Sequence, residues 1–242
     1  MHMANLRQLA VPAADRLIVP LDVPTLDAAM GWVERLPDVT FWKVGLELFV
    51  GAGPRVLTEL RQRQKQIFLD LKLHDIPNTV AGACRAVDAV ELMTVHAAGG
   101  MQMLQAAVAA FGDRGDRPRL LAVSVLTSLD ARALAFELRV PLELPDYALQ
   151  MALLARDAGI DGAVCSPREV AQLREVCGKD FLLVCPGVRP RGSNIGDQRR
   201  VMTPAEAIRA GADYLVIGRP IVAAPDPVAA WQQVCAEVDA AL

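Results

Sequence analysis

Phe68-Leu69-Asp70-Leu71-Lys72-Leu73-His74-Asp75 runs directly into Ile76-Pro77. From Leu69 to Leu73 apolar and charged side chains alternate, the period-two pattern of a strand. Leu69, Leu71 and Leu73 would face covering helices, and Asp70 and Lys72 would point together to the other side. His74 shares their parity, which weakens as the strand gives way to a loop. Asp75 stands where a helix N-cap is expected, with Ile76-Pro77 opening the helix. The stretch therefore reads as one strand–turn–helix unit with an ion pair on its inner face. A buried ion pair adds little stability over a well-packed apolar substitute, so charges concentrated here point to function before structure.

The same alternation of short apolar runs and amphipathic stretches extends in both directions. Strands are expected at 17–21, 41–44, 67–71, 92–96, 120–125, 162–165, 181–185 and 214–217. Helical patterns fall at 25–36, 54–63, 79–89, 101–111, 147–158, 167–176 and 204–210, with a last helix over 227–242. The strands are apolar nearly throughout, as in a parallel sheet covered by helices. Eight strands at about 30 residues per unit predict an α/β fold of the (β/α)8 TIM-barrel kind. A doubly wound open sheet, the alternative, usually has five or six strands. No Gly/Ser linker or low-complexity segment divides the chain. A single domain is expected over 16–242, with 1–15 an N-terminal extension that matches no element well.

Composition narrows the function classes. With 53% hydrophobic and 22% charged residues, the 242-residue chain has the means to build a core. A net charge of −3 argues against broad nucleic-acid binding. No apolar run reaches membrane-spanning length, and no basic start leads into an apolar stretch, so neither a membrane partner nor a secretory signal is expected. Cys84, Cys165, Cys177, Cys185 and Cys235 are scattered, without C-x-x-C spacing, and read as small hydrophobes of a cytoplasmic protein. The three histidines suggest no metal cluster. Trp32, Trp42 and Trp231 form no stripe and read as packing residues.

In a barrel, chemistry gathers where strands run into their following loops. Strand 1 ends in Leu21-Asp22, strand 2 carries Lys43, and strand 5 leads to Leu126-Thr127-Ser128. His96 ends strand 4 and reads as well as a rim residue as a catalytic one. Glu47, after strand 2, reads as a helix start. After strand 7, residues 186–200 hold three glycines and four arginines with no helical or strand period. A loop of this length, here Gly187 to Arg200, suits a functional lid. After strand 8, Gly218 permits close approach of a ligand, Arg219 adds charge, and Pro220 suits a first helical turn. Loops 7 and 8 together suggest a phosphate site.

Asp70-Leu71-Lys72-Leu73-His74-Asp75-Ile76-Pro77-Asn78-Thr79 resembles the D-x-K-x-x-D-I-x-x-T signature of the orotidine 5′-monophosphate decarboxylase family. Leu21-Asp22, Lys43-Val44-Gly45, Leu126-Thr127-Ser128, Pro186-Gly187-Val188-Arg189, Asp197-Gln198-Arg199-Arg200-Val201 and Ile217-Gly218-Arg219-Pro220 match in the same order. The resemblance runs from about Arg16 to the C-terminus and is nearest the common bacterial branch. Pro167, after Cys165-Ser166, is a little unusual for the family and lies away from these motifs. The resemblance implies conversion of orotidine monophosphate to uridine monophosphate with no metal or organic cofactor. It implies that Lys72 donates a proton to C6, beside Asp70, and that Asp75 reaches in from the partner subunit of a homodimer. Asp22 and Lys43 would hold the ribose, and Thr79 would also cross the interface. Thr127 would contact the pyrimidine, Gln198 would bridge base and phosphate, and Arg219, the Gly218 amide and Arg189 would hold the phosphate. Two alternatives remain at this stage. One is a Mg2+-dependent sugar-phosphate decarboxylase or synthase of the same barrel type, with Glu47 the nearest candidate ligand. The other is a non-catalytic nucleotide-phosphate binder.

Overall fold

The computed structural model describes residues 12–112, 114–190 and 202–242. Among them eight parallel strands close into a barrel in chain order. They are β1 (Leu17–Leu21), β2 (Phe41–Gly45), β3 (Gln66–Leu73), β4 (Leu92–His96), β5 (Arg119–Val123), β6 (Gly162–Val164), β7 (Leu182–Pro186) and β8 (Tyr214–Val216). The helices are α1 (Leu26–Arg35), α2 (Leu46–Ala52), α3 (Arg55–Gln62), α4 (Pro77–Ala86), α5 (Gly100–Ala109), α6 (Leu144–Asp157), α7 (Val170–Cys177), α8 (Pro204–Arg209), α9 (Arg219–Val222) and α10 (Pro227–Asp239). A 3-10 turn over Ala13–Arg16 leads into β1 and packs on α10, with Ala13 in the core.

Strand side chains divide between two apolar layers, which is why the strands are apolar almost throughout. Leu17, Val19 and Leu21 of β1, Trp42 and Val44 of β2, and Leu69 and Leu71 of β3 pack outward against helices. Leu73 also packs outward, in a second cluster with α4 and α5. Ile18, Phe41, Phe68, Leu92, Leu121, Val184 and Val216 point inward and fill the barrel as a plug. Two residues further along the chain, on the same inward parity, come Pro20, Lys43, Asp70, Thr94, Val123, Pro186 and Gly218. The charged layer thus lies directly beyond the apolar plug, toward the C-terminal ends of the strands.

Three local features depart from the sequence reading. β3 extends to Leu73 because its pairing with β4 is bulged, Leu69 opposing Met93 and Leu73 opposing Val95. Within that bulge Lys72 adopts a left-handed φ of 52°, a conformation costing of order 1–3 kcal/mol in a residue with a Cβ. The N-cap of α4 is Ile76, not Asp75. Proline at the first helical position keeps the residue before it extended (φ −58°, ψ 151°). Asp75 instead accepts the Ile76 N–H at 2.6 Å. α2, between Gly45 and Gly53, is too short for its period to register in sequence, although Glu47 does fall in its first turn.

The N-terminal end of the barrel is held by a repeated device. The acidic residue just before an even-numbered strand accepts an N–H from the start of the preceding strand and also binds an arginine. Glu91 takes the Ile67 N–H at 2.6 Å and Arg61 at 2.7 Å. Asp161 takes the Leu120 N–H at 2.8 Å and both Nη atoms of Arg117 at 2.6 and 2.8 Å. Asp213 takes the Leu183 N–H at 2.8 Å and Arg174 at 2.6 Å. Each carboxylate satisfies a backbone donor that would otherwise lack a strand partner. Asp161→Ala is expected to destabilise the fold by about 3 kcal/mol, the low end for breaking a buried pair. Denaturant unfolding measures this, and a loss under about 1 kcal/mol would show that solvent replaces the pair.

Candidate active site

At the C-terminal end of the barrel four charges form an unbroken row. The Asp22 carboxylate lies 3.1 Å from Lys43 Nζ, and Lys43 Nζ lies 3.6 Å from Asp70 Oδ2. Lys72 Nζ lies 2.9 Å from each Asp70 oxygen. The signs alternate along this row. Each member follows from strand geometry: Asp22 lies one residue past β1, Lys43 is the inward central residue of β2, and Asp70 and Lys72 share the inward parity of β3. The two middle members are the most buried, side-chain exposure being 65% at Asp22, 13% at Lys43, 11% at Asp70 and 31% at Lys72. Gly45 leaves room for this arrangement, since a Cβ there would stand 3.1 Å from Lys43 Nζ. A cavity of about 120 Å3 opens over the row, with Glu47 on its wall.

Thr94 was not singled out by sequence reasoning. It is fully buried on β4, donates to Asp70 Oδ1 at 3.0 Å and accepts the Lys72 N–H at 2.8 Å. The signal was present: it is the lone hydroxyl in Leu92-Met93-Thr94-Val95-His96, on the inward parity of Leu92. His96 follows on the same face and stacks on His74, with ring centroids 5.1 Å apart. Burial, reinforced by nearby His74 and Lys72, lowers the His96 pKa below its ordinary 6.5. His96 is therefore neutral near pH 7, and its Nδ1 accepts the Ala98 N–H at 3.4 Å.

A second cluster lies at the ends of β7 and β8. Gly187 turns the chain after β7 with φ 79°, a left-handed angle that favours glycine. Arg189 follows, its N–H donated to the Met202 carbonyl at 3.1 Å. Gly218 caps the short α9, with Arg219 and Pro220 in its first turn. Burial and then the neighbouring Arg219 cation lower the Arg189 pKa from its ordinary value. Among the described residues neither arginine has a carboxylate partner, so this end favours an anion. Gly218 abuts Pro20, whose register partner on β2 is Lys43, and the arginine cluster therefore adjoins the charge row.

Thr127 lies on the exposed loop after β5 and lines a cavity of about 630 Å3 together with Pro186, Gly187 and Met202. A cavity of similar volume at the opposite barrel end borders Arg61 and Arg117, both already committed to carboxylates. Asp75 and Thr79 are exposed at the start of α4 and are not joined to the charge row within the single chain. Gln198 and most of the Gly187–Arg200 segment lie outside the described residues.

A closed (β/α)8 barrel with a half-buried row of alternating charges and an adjoining arginine pair defines a barrel enzyme for an anionic small molecule. The chain belongs to the Orotidine 5′-phosphate decarboxylase / HUMPS family, which matches residues 15–234. It is 65% identical over 226 residues to an orotidine 5′-phosphate decarboxylase of Gloeothece citriformis, covering 93% of this chain and 97% of that one. It is 54% identical over 235 residues to one of Moorella thermoacetica, covering 94% and 93%. Among solved structures, orotidine 5′-phosphate decarboxylase from Lactobacillus acidophilus superposes with a TM-score of 0.82 at 39% identity, covering 92% of this chain and 98% of that one.

Gly218 gives this site a sharp test. A Cβ there would stand 2.7 Å from Cγ of Pro20, a ring that cannot rotate aside. Gly218→Ala is expected to cost about 1–3 kcal/mol through forced backbone movement. Denaturant unfolding reads the cost, and wild-type stability would mean that the contact relaxes freely.

Proposed function

We propose that this protein decarboxylates orotidine 5′-monophosphate to uridine 5′-monophosphate, the last step of de novo pyrimidine nucleotide synthesis, without a cofactor. The observation that carries this reading is the Asp22–Lys43–Asp70–Lys72 row, in which an ammonium is pinned beside a buried carboxylate at the open end of the barrel. Breaking the C6–carboxylate bond releases CO2 and leaves its electron pair in an in-plane orbital at C6, out of reach of ring π delocalisation. A fixed cation can stabilise that charge as it forms, because no reorganisation is needed at the moment of reaction. Lys72 supplies the cation and then transfers a proton from Nζ to C6, and the resulting amine is reprotonated from solvent. Lysine suits both tasks because its compact charge is also a transferable proton.

The remaining assignments follow the chemistry of each group. Asp70 orients the Lys72 ammonium and lies near the substrate carboxylate. Asp22 and Lys43 bind the ribose hydroxyls, Thr127 the pyrimidine, and Gln198 spans base and phosphate. Arg219, the Gly218 amide and Arg189 take the phosphate, a role supported by two neighbouring guanidinium groups without a carboxylate partner among the described residues. Binding energy from this remote phosphate is expressed in the transition state. The working form is a homodimer in which Asp75 and Thr79 complete the partner's charge network. Their exposure supports this, as does that of neighbouring Ile76, 67% exposed. The five free thiols suit a cytoplasmic location, and the fold unit is residues 16–242 with 1–15 as an extension whose Ala13 packs into the core.

A metal-dependent sugar-phosphate reaction is disfavoured by Lys43. Its ammonium already stands between the Asp22 and Asp70 carboxylates, where a cation beside Glu47 and Asp70 would meet a like charge. Loss of the orotidine monophosphate absorbance on mixing with the protein, unchanged by a chelator, is the direct test. Chelator-sensitive turnover of a sugar phosphate, or nucleotide binding without turnover, would overturn the proposal.

Lys72→Ala is expected to lower turnover by at least about 10³-fold, since the stabilising charge and the proton donor go together. Uridine monophosphate should still bind, and near-normal turnover would refute the proton-donor role. Arg219→Ala should raise KM roughly 10- to 100-fold through loss of charged hydrogen bonds, while leaving a substrate without phosphate unaffected. Equal effects on both substrates would remove Arg219 from the phosphate site.

A further inference from the structure

Thr94 has no place in the scheme above, yet its hydroxyl joins the two halves of the reactive pair. The bulge sets four residue steps on β3, Leu69 to Leu73, against two on β4, Met93 to Val95. Thr94 alone therefore stands opposite Asp70, Leu71 and Lys72. The Lys72 N–H, displaced from the regular ladder, donates to Thr94 Oγ1 at 2.8 Å, and the same hydroxyl donates to Asp70 Oδ1 at 3.0 Å. Asp70 in turn holds Lys72 Nζ at 2.9 Å through both oxygens. One buried oxygen thus closes a ring running from the Lys72 backbone through Thr94 and Asp70 to the Lys72 ammonium.

The ring answers two physical demands. An unpaired N–H inside the barrel would be costly, and the bulge can persist only if something accepts it. Bulges beside active sites re-aim a side chain, and this one aims a lysine whose left-handed backbone has to be held by its surroundings. The carboxylate must also keep one orientation if the ammonium is to stand at one point. We infer that Thr94 is a positioning residue: its hydroxyl fixes the Lys72 backbone and the Asp70 carboxylate together, and so sets where the Lys72 ammonium stands. The inference rests on the reading of Lys72 as proton donor.

Thr94→Val keeps the side-chain shape and removes both hydrogen bonds, whereas Thr94→Ser keeps the hydroxyl and removes a methyl. In the full-length protein Thr94→Val should lower kcat about 10²-fold, the order expected when a reacting group is misplaced by about 1 Å. KM for orotidine monophosphate and Kd for uridine monophosphate should stay within about threefold, because the ribose and phosphate contacts are untouched. Thr94→Ser should keep kcat within about threefold of the parent. An unchanged kcat in Thr94→Val, or a serine variant as impaired as the valine one, would overturn the inference. So would parallel losses in kcat and nucleotide binding, the mark of general disruption. If Thr94→Val does not fold, Thr94→Ala carries the same comparison; failure of both would make the hydroxyl a folding requirement and end the positioning role. Lys72→Ala run alongside separates the two ideas. An inactive Lys72→Ala with an unimpaired Thr94→Val sinks the Thr94 inference alone, whereas an active Lys72→Ala sinks the proton-donor reading beneath it.

Discussion

The Asp70 side chain is 11% exposed inside a barrel whose adjoining layer is an apolar cluster. A charge in that position is stable only if it is paired and its lone pairs are filled. Lys72, Lys43 and Thr94 do this from three strands, at 2.9, 3.6 and 3.0 Å. Satisfying Asp70 requires the β3 bulge that carries Lys72, the hydroxyl on β4 opposite the bulge, and an ammonium on β2. It also requires no side chain at Gly45, where a Cβ would crowd that ammonium. The geometry of this end of the barrel is largely the solution to one buried charge.

The two ends of the barrel use charge in opposite ways. At the N-terminal end Glu91, Asp161 and Asp213 each bind both an arginine and a backbone N–H, so their charges are spent on closing the fold. At the C-terminal end Arg189 and Arg219 repel one another without a carboxylate partner among the described residues. A protein tolerates such a pair at a modest cost when a ligand supplies the missing anion. Between the ends, the inward plug around Phe68 and Leu92 separates the arginine–carboxylate network from the charge row. Relatives named orotidine 5′-phosphate decarboxylase match across nearly the whole chain, so both ends are encompassed by the likeness.

Much of this was legible beforehand. Leu69, Leu71 and Leu73 announced the outward face of β3, and Asp70 and Lys72 its inward face, because side-chain direction in a strand depends on parity alone. Gly218-Arg219-Pro220 announced the start of α9, since proline suits a first helical turn. The misplaced cap at Asp75 shows where local rules compete: aspartate is a good N-cap, but Pro77 restricts the residue immediately before it and moves the cap to Ile76. Thr94 went unnoticed because a threonine in a strand is ordinary by propensity. Its importance depends on a register shift in a neighbouring strand.

By itself, the sequence determined the alternation of strands and helices, the barrel class and the faces on which the charged residues lie, all consequences of periodicity along one strand or helix. Only the tertiary structure decided the left-handed backbone of Lys72 and the Lys43 and Thr94 contacts that complete the surroundings of Asp70. These depend on the register between strands and on the barrel's closure, which bring together residues far apart in the chain through contacts no local pattern records.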